Sequence, residues 1–229
     1  IHMSKLIGIL GDSWGCGEWN YVRKNNSKNF QTTHTGLQNY LMKEKNYRVQ
    51  NLSTPNTGLK HCLDTVKQNI NIIKNCDLIF IFVTDTSRDI PIHEFWQKNY
   101  TVDDFKMRNT KALQYFVRTL DKFNVDNIKL IGGLSTLDDK IISNVHNIEI
   151  AFNVFDELIP HIKGYEMNFE DHLKHMPNNL DHNIIDYVYA QQKIWESIQK
   201  EQIMNPDGYH PNRHGHKIIF NRLVEKYVL

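Results

Sequence analysis

The sequence predicts a three-layer α/β/α domain in which a doubly wound sheet of about five parallel strands lies between two layers of helices. Apolar runs of strand length alternate with stretches of helical periodicity, the pattern of a parallel sheet joined by right-handed crossovers. The most continuous apolar run, 77–83, is typical of a central strand buried on both faces. Polar turns follow these runs, at the edge where open α/β sheets bind ligands.

Five strands are predicted, at 6–10, 48–52, 77–83, 128–133 and 148–152. Helices are predicted at about 36–45, 59–74, 102–123 and 215–228, where apolar residues recur at helical spacing. The stretch 18–33 is expected to be a long loop because it is rich in Asn, Lys and Ser. Residues 3–229 are expected to form one domain with a helical insertion at about 156–204, either a lid or, as we favour, a covering helix.

Composition excludes several classes of function. The 229 residues carry 27 basic and 26 acidic side chains, so the net charge of +1 provides no field that would attract nucleic acid or an anionic membrane. The three cysteines, Cys16, Cys62 and Cys76, lack metal-type spacing and are not expected to form a disulfide framework. We expect no metal and no cofactor.

The sequence also bears on location. No apolar run approaches the roughly 18 residues of a membrane span, and the N-terminus lacks the pattern of a signal peptide. We therefore expect a protein that is cytoplasmic or associated with a phage virion. Ile1 and His2, before Met3, resemble a cloning remnant.

A hydroxyl follows the first predicted strand in the turn Gly11-Asp12-Ser13. At the carboxyl edge of a parallel sheet, Ser13 is a candidate nucleophile. The alternative is that Asp12 or Ser13 only caps a helix, since both residue types are common caps.

A second polar turn stands before the last predicted helix and contains Asp207 and His210. A carboxylate three residues before a histidine can hold the imidazole Nδ1 and leave Nε2 facing another loop. Serine is a weak nucleophile without such an oriented base. The two turns together favour Ser13 as nucleophile over a role as a cap alone.

These residues resemble the SGNH (GDSL-type) hydrolases, which have a flavodoxin-like sheet. The resemblance rests on Gly11-Asp12-Ser13, on Gly58 after the second strand and on the motif at 207–212. It implies that Ser13 is the nucleophile, His210 the general base and then acid, and Asp207 the residue that orients His210. It also implies an oxyanion hole formed by the backbone amides of Ser13 and Gly58.

The third oxyanion donor of the family, an Asn in a Gly-x-Asn-Asp motif, is missing. The corresponding stretch is Val83-Thr84-Asp85-Thr86. Either Thr84 donates its hydroxyl or Asp85 takes the Asn position, where an ionised carboxylate would oppose the oxyanion. We favour Thr84 as donor, with Asp85 as a structural acceptor that pairs with Arg88.

Aromatic residues near the candidate nucleophile could bind substrate. Trp14, Trp19 and Tyr21 could stack on a substrate, sugars included, or seal the loop onto the domain. His34 could reach the mouth of the site, although capping or packing is the simpler interpretation.

The predicted function is hydrolysis of short acyl esters, such as acetyl esters of a carbohydrate, through an acyl-Ser13 intermediate. The alternative is a weakly active or inactive glycan-binding module on the same fold. In both cases the expected partner is a small molecule or carbohydrate.

Overall fold

The computed structural model describes residues 4–24, 27–84, 86–89, 102–133, 137–154, 157, 210–227 and 229. Seven strands lie in these residues: β1 (Leu6–Leu10), β2 (Glu18–Lys24), β3 (Ser27–His34), β4 (Arg48–Asn51), β5 (Leu78–Val83), β6 (Ile128–Gly132) and β7 (Ile148–Asn153). The α-helices are α1 (Ser13–Cys16), α2 (Gly36–Lys45), α3 (Leu59–Gln68), α4 (Ile70–Ile73), α5 (Val102–Asp121) and α6 (Arg213–Tyr227). Short 3-10 helices span Thr86–Asp89 and Asp139–Ile141.

The main sheet has the order β4-β1-β5-β6-β7, and every neighbouring pair of strands is parallel. The predicted doubly wound sheet is therefore confirmed, with the apolar run of 77–83 at its centre. Because successive strand residues point to opposite faces, β5 feeds two separate cores. Phe80 and Phe82 join the core under α2 and α6, whereas Ile79 and Ile81 join the core under α3 and α5.

The stretch 18–33 is not a loop, contrary to the prediction. Its residues form the antiparallel hairpin of β2 and β3, with Glu18 opposite His34 and Lys24 opposite Ser27. This ribbon is separate from the main sheet. Its polar composition therefore lacked the apolar residues that mark a strand facing the core. The available signal was the group of strand-forming residues Trp19, Tyr21 and Val22.

The predicted helix at 59–74 is interrupted at Asn69, whose φ of −111° and ψ of 23° lie outside the helical range. The Asn69 side chain donates to the Thr65 carbonyl at 2.9 Å, a local bond that competes with helix continuation. The predicted insertion at about 156–204 lies outside the described residues except for Glu157. In the described part of the chain, no helix is both long and apolar enough to cross a bilayer.

The turns at the carboxyl ends of the strands are bonded to one another. The Thr54 amide donates to the Gly11 carbonyl at 2.9 Å, which joins the turns after β4 and β1. The Gly133 amide donates to the Val83 carbonyl at 3.1 Å, which joins the turns after β6 and β5. The polar residues of these turns are thus brought to one edge of the sheet.

Candidate active site

The turn after β1 is shaped by Gly11 and Asp12. Gly11 has a φ of +128°, and a Cβ there would lie 2.6 Å from the Phe82 carbonyl oxygen, so only glycine fits. Asp12 caps α1, because its Oδ1 accepts from the Trp14 amide at 3.0 Å. The cap is thus Asp12, and Ser13 begins α1 with its hydroxyl available for another partner.

That partner is His210, whose Nε2 lies 2.8 Å from Ser13 Oγ across a sequence separation of 197 residues. Asn212 fixes the approach to α6 by accepting from the Gly215 amide at 3.0 Å, which places His210 two residues before the cap. The two side chains are within the range expected of a nucleophile and its base. Asp207, the predicted orienting carboxylate, lies outside the described residues.

Trp19 at the start of the hairpin contacts both members of this pair. Its indole Nε1 donates to the Ser13 carbonyl at 2.7 Å. Its ring lies 6.0 Å from the His210 ring, with a tilt of 41° between the planes. Arg213 ties the hairpin to α6 by donating from Nε to Glu18 at 3.2 Å. Trp19 therefore lies against both Ser13 and His210. Ser13 itself is only 5% exposed.

Asp12 is the centre of a buried polar network. Its Oδ1 accepts from the Thr84 hydroxyl at 2.9 Å, and its Oδ2 accepts from Arg88 Nη1 at 2.9 Å. Burial raises the pKa of the Asp12 carboxyl above its usual value, while the Arg88 cation and the Trp14 amide oppose that rise. A carboxylate only 4% exposed thus retains an ion pair directly beside the candidate nucleophile.

Thr84 directs its single hydroxyl proton to Asp12 Oδ1 in this geometry, and its side chain is buried. The proton predicted to serve an oxyanion is therefore engaged elsewhere in the structure. Asp85, the alternative, lies outside the described residues. The expected pairing of Asp85 with Arg88 therefore stays a prediction, and Arg88 forms an ion pair with Asp12.

Gly58 sits at the N-terminus of α3, beside the 3-10 helix that follows β5. Asp89 Oδ2 from that helix accepts from the Leu59 and Lys60 amides at 2.6 and 3.2 Å. A Cβ on Gly58 would overlap the Asp89 carboxylate in this position, so a larger residue would displace that side chain. Gly11, Asp12, Thr57, Gly58 and Thr84 line one small pocket, which places the predicted second oxyanion amide near the Ser13 turn.

The remaining aromatic predictions have different outcomes. The Trp14 side chain is 1% exposed and packs in the core, so the prediction that it contacts substrate is wrong; burial of a large ring beneath the turn explains its position. His34 accepts from the Gly36 amide at Nδ1, 3.1 Å away, and packs on Tyr40, as the capping interpretation expected. Tyr21 belongs to β2, but the prediction for its side chain lies outside what the structure describes.

Cys16 lies three residues after Ser13 but is poorly suited as a nucleophile. Burial, with a further contribution from the Asp12 charge, raises the pKa of its thiol to about 11. The thiolate is the reactive form of cysteine, and it is scarce at neutral pH for such a thiol. Across the described ranges, no three His, Cys, Asp or Glu side chains are grouped to hold a metal ion.

The sequence indicated Asp12 as a possible helix cap and Arg88 as an ion-pairing residue, but not the ion pair between them or the bonds of Asp89 to the amides of α3. The available signal was the polar stretch of 84–89, directly after the most buried strand. At a sheet edge where several turns meet, charged residues in such a stretch reach the neighbouring turns.

Known structures resemble this chain in fold. A Streptococcus pneumonia protein described as a platelet activating factor matches with a TM-score of 0.50 and 13% identity, over 100% of this chain and 86% of that one. The present chain has the same α/β fold as that protein. The matches also include a GDSL-like lipase from Parabacteroides merdae (TM-score 0.42, 13% identity, 98% and 97% covered). An acetylxylan esterase mutant from Geobacillus stearothermophilus matches with a TM-score of 0.47 and 13% identity, over 100% and 97%.

No family model matches the sequence, and a search of the curated proteins found no match. The similarity to solved structures lies in the α/β fold, and the predicted resemblance to the SGNH hydrolases agrees with it at the level of fold. Esterases and lipases are among the proteins of similar structure, and the chemistry of this chain has to be argued from its own residues.

Proposed function

We propose that this protein is a serine ester hydrolase that acts through an acyl-Ser13 intermediate. The observation that carries the proposal is the 2.8 Å contact between Ser13 Oγ and His210 Nε2. Two chain segments from opposite ends of the sequence supply a hydroxyl and an imidazole at hydrogen-bond distance, at the edge of the sheet where ligands bind.

In the acylation step, Ser13 Oγ attacks the ester carbonyl carbon while His210 Nε2 accepts the hydroxyl proton. Nε2 accepts only in the tautomer that carries its proton on Nδ1, and we assign Asp207 as the acceptor of the hydrogen bond from that Nδ1–H. The Ser13 and Gly58 amides donate to the oxyanion. The intermediate collapses with cleavage of the bond to the alkoxy group, and His210 returns the proton to the leaving alcohol.

In the deacylation step, His210 takes a proton from water as the water oxygen attacks the acyl-Ser13 carbonyl. The second tetrahedral intermediate breaks its bond to Ser13 Oγ, which regains the proton from His210. One ester and one water yield one acid and one alcohol, and no external cofactor takes part.

The substrate proposed is a short acyl ester, such as an acetyl group on a carbohydrate. Ser13 is only 5% exposed, and Trp19 and His210 stand beside it, so space for the acyl group is small. The adjoining hairpin is polar apart from its aromatic residues, a composition suited to a hydroxyl-rich alcohol and poorly suited to a lipid.

The test is release of p-nitrophenol from acetyl, butyryl and octanoyl esters by the wild-type protein, Ser13→Ala and Ser143→Ala. Ser143 is an exposed serine outside the site. We expect turnover to fall at least about 1000-fold in Ser13→Ala, to persist in Ser143→Ala and to be fastest on the acetyl ester. A serine-directed phosphonate should label Ser13. Equal rates for wild type and Ser13→Ala, with Ser13 unlabelled, would refute the proposal.

One observation favours a second candidate, a glycan-binding module with little or no turnover. The Thr84 hydroxyl donates to Asp12, and the family's Asn donor is missing, so the developing oxyanion has fewer donors. Binding of acetylated oligosaccharides without turnover, unchanged in Ser13→Ala, would support this second candidate over the first.

A further inference from the structure

The residue that joins the two halves of the proposed oxyanion hole is Arg88. Its Nη1 donates to Asp12 Oδ2 at 2.9 Å and to the Thr57 carbonyl at 3.3 Å. Asp12 precedes Ser13, and Thr57 precedes Gly58. One guanidinium nitrogen therefore connects the turn after β1 to the turn after β4, and its side chain is only 25% exposed.

The contact with Thr57 acts on the very peptide unit that carries the Gly58 N–H. Peptide groups are planar and trans, so the Thr57 carbonyl and the Gly58 N–H point in opposite directions. A cation bonded to the carbonyl fixes the direction of the N–H and polarises the unit, which strengthens the N–H as a donor.

The opposite side of the proposed hole is held by the same network. The Asp12 carbonyl accepts from the Gly15 and Cys16 amides at 3.1 and 3.3 Å, and it belongs to the peptide unit that carries the Ser13 N–H. The Asp12 carboxylate, paired with Arg88, holds this turn through the Trp14 amide. The Gly58 amide thus belongs to a peptide unit bonded to Arg88. The Ser13 amide belongs to a turn held by Asp12, the ion-pair partner of Arg88.

The carboxylates near Gly58 also favour a cation at this position. Asp89 places a carboxylate on the Leu59 and Lys60 amides, next to Gly58. Together with Asp12, it would oppose a negative charge developing at the Gly58 N–H. The Arg88 cation pairs with the Asp12 carboxylate and offsets part of this negative charge.

We propose that Arg88 is a positioning residue for ester hydrolysis, which aligns the Ser13 and Gly58 amides on one oxyanion and compensates for the absent Asn donor. This inference rests on the proposed function. Arg88 acts on the two amides through the Thr57 carbonyl and the Asp12 carboxylate, so its loss should act on the transition state and leave ground-state binding almost intact.

The test compares Arg88→Met, Arg88→Lys and Arg222→Met for kcat, KM and inhibition by a trifluoromethyl ketone, which forms an oxyanion on Ser13. Arg222 is a matched control, since it is an ion-paired arginine on α6, bonded to Glu157 and Glu225. We expect Arg88→Met to lower kcat by roughly 10- to 100-fold with KM changed less than about 3-fold, a loss smaller than the roughly 100- to 1000-fold cost of removing one oxyanion donor outright. Ketone affinity should fall by the same factor as kcat/KM, and Arg222→Met should match wild type.

Arg88→Lys keeps the charge but loses the planar fork, so we expect it to recover only part of kcat. Where Arg88→Met does not fold at the assay temperature, as shown by circular dichroism, Arg88→Lys decides the question. Wild-type kcat and ketone affinity in folded Arg88→Lys and Arg88→Met would overturn the inference, as would a loss confined to KM. An inactive wild type with Ser13 unlabelled would instead refute the proposed function, so the two failures are distinct.

Discussion

Individual contacts around Ser13 decide how the proposed nucleophile and base meet. His210 approaches the hydroxyl, while the Trp19 indole N–H holds the carbonyl of the same residue at 2.7 Å and its ring lies against the imidazole. A single side chain from the hairpin thereby restricts both reacting groups. Small errors in such alignment are costly because the reacting atoms must be held near their attack geometry.

Replacement of Trp19 tests this role. Trp19→Phe keeps an aromatic ring against His210 but removes the bond to the Ser13 carbonyl, worth about 1 kcal/mol, so kcat should fall by roughly 5-fold with little change in KM. The kcat of Trp19→Leu, which also lacks the aromatic ring, should fall further. Steady-state kinetics on p-nitrophenyl acetate measure both. A rise in KM at constant kcat would show instead that the indole binds substrate.

Among the secondary-structure elements, the junction of α2 with α6 supports the candidate active site. Gly36 begins α2 with a φ of +51°, and the ring of the fully buried His216 on α6 occupies the space that its side chain would need. The same helix α6 begins just after His210. The packing of these two helices therefore sets where the proposed base stands relative to the β1 turn.

A methyl group at this junction should destabilise the fold. Gly36→Ala forces alanine into a left-handed conformation, at a cost of about 1–2 kcal/mol, and adds a Cβ 2.7 Å from His216 Nδ1. We expect a total loss of about 3 kcal/mol in the free energy of unfolding, measured by urea denaturation. In a His216→Ala background only the conformational share should remain. Equal stability of Gly36→Ala and wild type would contradict the structure at this position.

For the molecule as a whole, two buried ionisable groups link folding to pH. Burial raises the pKa of the Asp12 carboxyl, and its ion pair with Arg88 opposes that rise, whereas His216 is fully buried on α6 beside Gly36, the first residue of α2. Burial lowers the pKa of His216 from 6.5 to about 4, and the neighbouring His34 and His210 oppose its protonation further.

Stability should therefore fall in acid. The unfolded chain binds a proton on His216 below about pH 6.5, and the folded chain only below about pH 4, so stability is lost as the pH falls between these values. The difference corresponds to about 3 kcal/mol. Urea denaturation from pH 7 to pH 4 should show this slope in wild type and in the exposed control His61→Leu, but a flatter slope in His216→Leu. Parallel slopes in all three proteins would exclude His216 as the source.

The sequence by itself determined the order of strands and helices in the sheet domain and the two turns that carry Ser13 and His210. Apolar periodicity is a local signal, so the strands Leu6–Leu10, Leu78–Val83 and Ile128–Gly132 could be recognised from neighbouring residues alone. The Ser13 and His210 motifs could be recognised for the same reason, since each is contained in a single turn.

Only the tertiary structure decided which polar groups meet across those turns. It paired Arg88 with Asp12, engaged the Thr84 hydroxyl, buried Trp14 and set Trp19 against His210. These contacts join residues far apart in the chain, and their geometry depends on how turns from neighbouring strands converge at one edge of the sheet. Composition likewise could not predict the polar hairpin of β2 and β3, because a ribbon outside the core needs no apolar face.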